Sequence, residues 1–588
     1  MIHLIGLCYH ESTKDLLFEE ILKTEGIPYK RISDLAELNK FKGLVMGEGY
    51  EEWTDELTSF VKNGGILMVA KPEGQLAGGL GLKLVGRQRE GYLLIEREEE
   101  SQICSYKGPL QLFGLSNLYE GGEILVKLKP ETDYGAIIRV KMGLGKALII
   151  AFDLPETFIS LQQPASESGK AFDASKVERE LSGIPQLDIM RRLIVGLFLK
   201  ELGVPVPRKW YFPHGSRALL VLSGDQDWAP FEQLLEVLNL MRELNVPYTL
   251  FVTPEPQSVS KEQFKYLIEN GMDLGFHPNF FKGGGKVFKE GKVILTAKPI
   301  FTEEEFSKQL EEVEDLIGFR PIGCRCHGLR WETALDLPLW MERAGLQYDS
   351  TLGQKFEEDK PARIGYHVGT GLPYYFIDTS TYRRIDVLEI PMLTGDQMPF
   401  VKPHEYVVAI KPNVMKSFQA GLGLTEEEAY IILKELLDAS VNKFHTAICL
   451  CFHPIYLASR KLKLPKVHHS DLFFKLLVKY AKRTGIQVMN ATEWNNFWRM
   501  REKVLIEELE WDPESMKMSF KIRLEEGSLG ISLLIPVYYC GLKAVIHTDG
   551  KLAEYNEVEI LGGRYAMIEV EACSKPKLIE VFYGGEAR

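Results

Sequence analysis

Short apolar runs alternate with amphipathic runs from residue 206 to about residue 500, and this alternation constrains the fold more than any other feature. The apolar run at 248–252 is followed by a helix-like run at 261–270 that ends at Gly271. A second amphipathic run at 303–317 ends in the same way at Gly318. About 290 residues of such repeats predict an α/β fold with a single (β/α) barrel.

One apolar run, at 218–222, ends in two carboxylates. It leads into Ser-Gly-Asp-Gln-Asp-Trp at 223–228, and a helix-like run follows at 231–244. Side chains two residues apart in a strand point the same way, so Asp225 and Asp227 would share one cavity if the extended geometry continues. Two carboxylates that close usually need a metal ion or a proton between them. An isolated Asp-x-Asp is more often a turn or a helix cap, so further evidence is needed.

Three histidines supply that evidence, because each follows a strand-like run or a glycine-rich turn of the same region. They are His277 in Gly-Phe-His-Pro-Asn, His327 in Arg-Cys-His-Gly and His453 in Cys-Phe-His-Pro. A lone histidine at a strand end is usually structural, but the carboxyl ends of parallel barrel strands converge on one face. One carboxylate and two imidazoles are a common ligand set for a catalytic divalent metal. The pattern therefore predicts a metal site at these strand ends.

These motifs resemble those of the polysaccharide deacetylase family, the NodB-homology or carbohydrate esterase 4-like enzymes, over residues 206–500. The resemblance implies a distorted (β/α) barrel of the NodB-homology type and an enzyme that hydrolyses non-peptide C–N bonds. It implies that Asp225 is the general base and that Asp227 and His277 bind the metal. Arg325 matches the arginine that pairs with the base, and His453 matches the late histidine that acts as general acid.

The chain departs from the family pattern at one metal ligand. The family's second metal histidine lies four residues after the first, where this chain has Phe281. We expect His327, two residues after Arg325, to replace it, because some divergent members show the same Arg-x-His segment. The implied cofactor is a divalent ion, with zinc expected and cobalt, nickel or iron as alternatives. Three further side chains are candidate substrate contacts, although a place in the core is nearly as common for each: Trp228, Asn279 and Trp331.

The leading expectation is a metal-dependent hydrolase that deacetylates an N-acetylated sugar or a related amide. Phe281 favours a second hypothesis, a non-catalytic carbohydrate-binding protein with a degenerate deacetylase fold. A third is a hydrolase of a small cyclic amide, which related barrels perform. The joint presence of Asp225, Arg325 and His453 favours an enzyme.

The remaining segments predict three further parts. Residues 1–155 alternate strands and helices, which favours a flavodoxin-like parallel sheet. The helix into Asn-Gly-Gly at 63–65 and the late Gly-Leu-Gly-Lys strand at 143–146 resemble class I glutamine-amidotransferase-like domains. The turn comparable to the one that carries that family's catalytic cysteine reads Gly-Glu-Gly at 47–49, so we expect a non-catalytic domain. Residues 156–205 are predicted to be a linker with a connecting helix, and 501–588 a small antiparallel β-sandwich.

Charge and cysteine content limit the partners and the compartment. The net charge of −12 over 588 residues, without a basic block, argues against nucleic acid and anionic membranes as partners. No apolar stretch approaches the ~20 residues of a membrane span. The eight cysteines are too few for a disulfide scaffold, and Cys324-x-Cys326 and Cys449-x-Cys451 lack the Cys-x2-Cys spacing of zinc knuckles. We expect a cytoplasmic protein with packed thiols, and the oligomeric state is not predicted.

Overall fold

The computed structural model describes residues 3–9, 15–163, 183–254, 258–279, 286–289, 292–296, 301–353, 364–400, 406–411, 414–418, 422–465 and 467–584. Phe281 and residues 164–182 of the predicted linker lie outside the described residues. The described chain is a mixed α/β structure with two large sheets that contain parallel strands.

A nine-stranded sheet occupies the N-terminal part. Its strands are β1 (His3–Cys8), β2 (Lys30–Ile32), β3 (Phe41–Met46), β4 (Ile66–Ala70), β5 (Lys83–Ile95), β6 (Gly108–Glu120), β7 (Glu123–Lys129), β8 (Gly135–Met142) and β9 (Gly145–Ile150). They follow the order β2-β1-β3-β4-β9-β8-β7-β5-β6, in which the first five run parallel and the rest antiparallel. The predicted parallel sheet thus describes only half of this sheet, and the likeness to glutamine-amidotransferase-like domains stays a prediction.

Six helices accompany this sheet and the segment after it. They are α1 (Asp15–Thr24), α2 (Thr54–Lys62), α3 (Gly74–Gly79), α4 (Glu98–Cys104), α5 (Leu154–Gln162) and α6 (Gln186–Leu202). The last of these corresponds to the predicted connecting helix. None of the described helices of the protein combines the length and the apolar character that a membrane span requires.

The middle of the chain builds a second large sheet and a small one. Their strands, with a short strand before them, are β10 (Arg208–Lys209), β11 (Leu219–Asp225), β12 (Thr249–Val252), β13 (Asp273–Phe276), β14 (Lys286–Lys289), β15 (Lys292–Thr296), β16 (Gly323–Cys324), β17 (Tyr348–Asp349), β18 (Tyr374–Asp378), β19 (Arg383–Glu389), β20 (Met392–Gly395), β21 (Tyr406–Lys411), β22 (Val414–Phe418), β23 (Ala447–Cys451) and β24 (Gln487–Asn490). The large sheet has the order β18-β19-β17-β16-β13-β12-β11-β23-β20, and β14-β15-β21-β22 form the small one.

The large sheet branches at β11. One edge of β11 pairs with β23, whereas the other edge pairs first with β24 and then, from Ser223 onward, with β12. All pairs of this sheet are parallel except β18 with β19. Over the described residues no pairing joins β18 to β20, so the sheet is open and the predicted barrel is not confirmed.

Helices cover one face of this sheet, and aromatic side chains pack on the other. The helices on the first face are α7 (Phe231–Leu244), α8 (Lys261–Glu269), α9 (Glu303–Ile317), α10 (Asp336–Arg343), α11 (Gln397–Phe400), α12 (Glu426–Ala439), α13 (Pro454–Ala458) and α14 (Asp471–Arg483). The last helix, α15 (Ala491–Lys503), lies on the other face, where its Trp494 belongs to the aromatic cluster. Within β11, Leu220 and Leu222 join the helix-side core, whereas Leu219 and Val221 pack with a cluster that includes Trp494. By the same alternation, Asp225 continues the row of Leu219 and Val221.

Two antiparallel sheets follow at the C-terminus. Their strands are β25 (Leu505–Asp512), β26 (Lys517–Arg523), β27 (Ser528–Pro536), β28 (Tyr538–Tyr539), β29 (Leu542–Thr548), β30 (Lys551–Leu552), β31 (Asn556–Ile560), β32 (Gly563–Cys573) and β33 (Lys577–Tyr583). The sheets β10-β27-β32-β31 and β25-β26-β33-β29-β28 share one apolar core, as a sandwich requires. The strand β10, which lies far earlier in the chain, was not predicted to join them. The division of the chain into four domains stays a prediction.

Candidate metal centre

Five predicted site residues meet at the carboxyl edge of the large sheet. Asp225 ends β11 and Asp227 follows it, while His277, His327 and His453 follow β13, β16 and β23. Asp227 Oδ1 lies 2.9 Å from His327 Nδ1 and 3.4 Å from His277 Nε2. His453 Nε2 lies 3.8 Å from Asp227 Oδ2 and 4.0 Å from Asp225 Oδ2. The structure brings these residues together, and their roles stay predictions.

A close approach of the chain makes glycine necessary at position 224. A Cβ on Gly224 would lie 1.7 Å from the carbonyl oxygen of Phe452 and 1.9 Å from Tyr248 Oη. The Tyr248 hydroxyl donates a hydrogen bond to that same carbonyl over 2.5 Å. The strand ends one residue later, and Asp227 has a left-handed φ of +50°. A turn therefore brings Asp227 to the site, so the two carboxylates lie together although the extended geometry does not continue to Asp227.

We expect Gly224→Ala to lower the free energy of unfolding by several kcal/mol. The added methyl group overlaps the Phe452 backbone, which costs about 1–3 kcal/mol. It also breaks the hydrogen bond of the Tyr248 hydroxyl, which costs about 1 kcal/mol. Unfolding in urea measures the effect. Gly530→Ala is the matched strand control, because no heavy atom lies within 4 Å of its Cβ position. Equal stability of the two variants would contradict the close approach at Gly224.

Backbone hydrogen bonds hold His277 and His327, the two candidate metal-binding histidines, side by side. The Arg325 N–H donates to the carbonyl of Phe276 over 3.0 Å, and the His327 N–H donates to the carbonyl of Pro278 over 3.2 Å. These bonds continue the pairing of β13 with β16 past the ends of both strands. His277 Nε2 and His327 Nδ1 consequently lie 3.1 Å apart.

Three donor atoms of Asp227, His277 and His327 surround one small volume. Their separations are 2.9, 3.1 and 3.4 Å. Tetrahedral zinc with bonds of about 2.0–2.1 Å places its ligand atoms about 3.3 Å apart. The set of one carboxylate and two imidazoles thus fits a single divalent ion.

Hydrogen bonding also determines which nitrogen of His277 is free. Its Nδ1 lies 2.5 Å from the carbonyl oxygen of Arg325. Because a carbonyl only accepts, Nδ1 carries a proton and Nε2 is the nitrogen that faces the site. Nε2 faces a carboxylate oxygen of Asp227 over 3.4 Å, where a proton or a bound cation would separate the two atoms. The orientation is the one that metal-binding histidines usually adopt.

Arg325 fixes Asp225 from inside the protein. The fully buried guanidinium donates from Nη1 to Asp225 Oδ1 over 3.1 Å. It also donates to the hydroxyl of Ser223 over 2.8 Å and to the carbonyl of Ser350 over 2.9 Å. Burial raises the pKa of Asp225, but the charges of His277 and Arg325 outweigh burial and lower it below the usual value. Asp225 is therefore a carboxylate at neutral pH.

Asp396 is a site residue that sequence reasoning missed. Its carboxylate lies 2.7 Å from His453 Nδ1 and accepts the backbone N–H of His453 over 3.0 Å. The hydroxyl of Ser470 donates to the same carboxylate over 3.0 Å. Burial lowers the pKa of His453, but Asp396 outweighs burial and the pKa rises to about 9. Asp396 directly follows β20, so a carboxylate after a strand was the available signal.

The three candidate substrate contacts lie in different surroundings. Trp228 is 45% exposed, and its ring lies 5.2 Å from the ring of His327. Asn279 is 2% exposed. Trp331 is 9% exposed, and it packs in the helix-side core against Phe376. Of the three, Trp228 alone presents a broad aromatic surface to solvent beside the metal-site residues.

One protein-family model matches the part of the chain that contains most of this site. Residues 222–402 match the family model described as WbmS-like polysaccharide deacetylase. That segment contains Asp225, Asp227, His277, His327 and Arg325, and it ends before His453. None of the curated proteins matches the chain.

Three solved structures are similar to the chain at low identity. A candidate polysaccharide deacetylase from Mycobacterium smegmatis is 16% identical over 50% of this chain and 93% of that chain, with a TM-score of 0.34. Agd3, a carbohydrate deacetylase, is 9% identical over 99% of both chains, with a TM-score of 0.38. A candidate polysaccharide deacetylase involved in O-antigen biosynthesis from Bordetella bronchiseptica is 17% identical over 45% of this chain and 89% of that chain, with a TM-score of 0.24.

Proposed function

Because residues 222–402 belong to the polysaccharide deacetylase family, we propose that this protein is a metal-dependent hydrolase that removes the acetyl group from an N-acetylated sugar or a related amide. The observation that carries the proposal is the grouping of Asp227, His277 and His327 within 3.4 Å of one another. The carboxylate of Asp225 and the imidazole of His453 lie beside that group.

Asp227, His277 and His327 would hold a divalent ion, with zinc as the expected metal. When bound, the ion supplies a Lewis acid for the acyl oxygen and lowers the pKa of a water molecule. His327 would take the place of the ligand that the family has at the position of Phe281. The non-catalytic hypothesis drew its support from that missing ligand, and the 2.9 Å approach of His327 to Asp227 weakens it.

Asp225 and His453 would each carry out one of the two proton transfers of the reaction. Arg325 occupies Asp225 Oδ1, so Oδ2 faces the site and can accept a proton from the attacking water. The water oxygen bonds to the acyl carbon as the C–N bond breaks. His453, held by Asp396, gives its proton to the leaving amine. The products are acetate and a free amino sugar, and Trp228 offers a face on which the sugar ring can stack.

Loss of the metal is expected to abolish hydrolysis. We expect Asp227→Ala and His327→Ala to lose the bound ion and to lower acetate release from N-acetylated oligosaccharides by at least about 10³-fold, because the Lewis acid is lost. Metal analysis of each purified variant and an acetate assay measure both effects. His214→Ala is the control, since His214 is exposed and lies in a separate segment, Pro213–Gly215.

Three outcomes would decide against this proposal. An Asp227→Ala protein with unchanged metal content and unchanged hydrolysis would contradict the assignment of the metal site. A wild-type protein that binds the ion but releases acetate from no N-acetylated sugar would favour the carbohydrate-binding hypothesis. Ring opening of a small cyclic amide, followed as loss of the amide because no acetate is released, would favour the third hypothesis.

A further inference from the structure

A second group of metal-binding side chains lies on the opposite face of the strands that carry Arg325 and His327. The ligand atoms of Cys324, Cys326 and Asp349 lie within 4.8 Å of one another. We propose that these three residues and Glu389 form a second, buried site for a thiophilic divalent ion such as zinc. This inference does not rest on the proposed hydrolytic function.

The register of three adjacent strands creates this group. Cys324 in β16 lies directly opposite Asp349 in β17, and Asp349 lies directly opposite Glu389 in β19. Residues opposite each other in parallel strands point to the same face and are separated by about 4.8 Å. Alternation along the chain turns Cys326 to the face of Cys324, whereas Arg325 turns to the hydrolytic site.

The group is enclosed in an apolar environment. Cys324, Cys326, Asp349 and Glu389 are all 0% exposed. Both cysteines belong to the helix-side core, together with large side chains such as Phe276. Burying an ionised carboxylate in such surroundings costs several kcal/mol unless a cation or hydrogen bonds compensate.

The carboxyl groups are incompletely compensated. Glu389 Oε1 accepts the N–H of Leu352 over 3.0 Å, whereas its Oε2 is buried with no hydrogen-bond partner. Asp349 accepts two hydrogen bonds from Thr351, at 3.0 and 2.7 Å. The charge of Arg325 acts on both carboxyl groups, but its guanidinium is hydrogen-bonded to Asp225 on the other face of the sheet. A cation among the four side chains would supply the missing partner.

A proton shared between the two carboxyl groups is the alternative to a metal ion. Burial raises the pKa of both Asp349 and Glu389, and the two carboxyl groups lie within hydrogen-bond reach of each other, so one of them could hold a proton. A proton shared by Asp349 and Glu389 would account for the two carboxyl groups, but it would not account for the two thiols that lie beside Asp349. Cys324, Cys326 and Asp349 bring two sulfur donors and one oxygen donor within 4.8 Å of one another, a set that suits zinc, and Glu389 lies opposite Asp349 in the next strand. Such an ion would tie β16, β17 and β19 together beneath the strand segment that carries Arg325 and His327.

Cobalt loading of the full-length protein tests this site. Cobalt(II) bound to thiolates gives a charge-transfer absorption in the near ultraviolet, which a site with only imidazole and carboxylate ligands lacks. We expect wild-type protein loaded with Co²⁺ to show this absorption, and Asp227→Ala to keep it. The double variant Cys324→Ser/Cys326→Ser should lose the absorption and one bound ion per chain.

Cys451→Ser is the matched control, because Cys451 is another buried thiol that lies near possible metal ligands, Asp225 and His453. We expect this variant to keep the absorption. Absence of the absorption from wild-type protein would overturn the proposal without any variant having to fold. An absorption that survives in the Cys324→Ser/Cys326→Ser variant would overturn it as well. Failure of the hydrolytic site would appear separately, as metal content that Asp227→Ala does not change.

Discussion

Asp225→Asn is expected to lower kcat/KM for deacetylation by about 10²–10⁴-fold and to leave the bound metal in place. Asparagine keeps the size of the side chain and an oxygen that can accept the hydrogen bond from Arg325 Nη1. Its amide group cannot take a proton from water, so the step assigned to Asp225 Oδ2 is lost. Acetate release and metal analysis on the same preparation measure the two quantities.

The comparison with Asp227 makes this prediction specific. The two residues are separated by one position, yet Arg325 contacts Asp225 and the two histidines contact Asp227 most closely. Asp227→Ala should therefore lose the ion, whereas Asp225→Asn should keep it. Loss of the ion from Asp225→Asn would make Asp225 a ligand, and retention of more than a tenth of the activity would exclude it as the base.

Local signals in the sequence were sufficient to predict the helices that support the site. The predicted helix at 303–317 is α9, with the same ends. Thr302 and Glu305 form a capping box at its start, and Gly318 closes it with a left-handed φ of +85°. Helix α7 also has its predicted ends. In both helices the apolar period and the end signals lie within a few residues of each other.

Pairing between distant segments explains what the sequence did not reveal. The strand β5 (Lys83–Ile95) has many exposed polar positions, and it is defined by its pairing with β6 and β7. The contact of Asp396 with His453 joins residues 57 positions apart. Similarly, the opening of the large sheet depends on which strands meet at its two ends. Each of these features is set by contacts that no short sequence pattern encodes.

The candidate site was more predictable than the fold around it, because its residues follow strand ends. Asp225, His277, His327 and His453 were placed by that criterion and lie together. The exception is Asp227, which reaches the site through a left-handed turn after the strand. Trp331 was selected by residue type and not by a strand end, and it lies in the helix-side core. An aromatic residue type alone therefore does not distinguish a site position from a core position.

Arg325→Met is expected to lower the free energy of unfolding by about 3–5 kcal/mol, because it leaves the buried Asp225 carboxylate without its cation. The substitution also removes the hydrogen bonds to Ser223 and Ser350 inside a fully buried environment. Denaturant unfolding measures the loss. Arg325→Lys keeps the charge but loses the fork of donors, so we expect an intermediate loss of stability.

A double-mutant cycle with Asp225→Asn separates the ion pair from the packing of the arginine. Asp225→Asn alone leaves the Arg325 charge unpaired, and Arg325→Met alone leaves the Asp225 charge unpaired. The double variant has neither charge, so its loss of stability should be smaller than the sum of the two single losses by about 1–3 kcal/mol. Additive losses would mean that the two side chains stabilise the protein independently, and the 3.1 Å contact between them would then not hold Asp225 ionised.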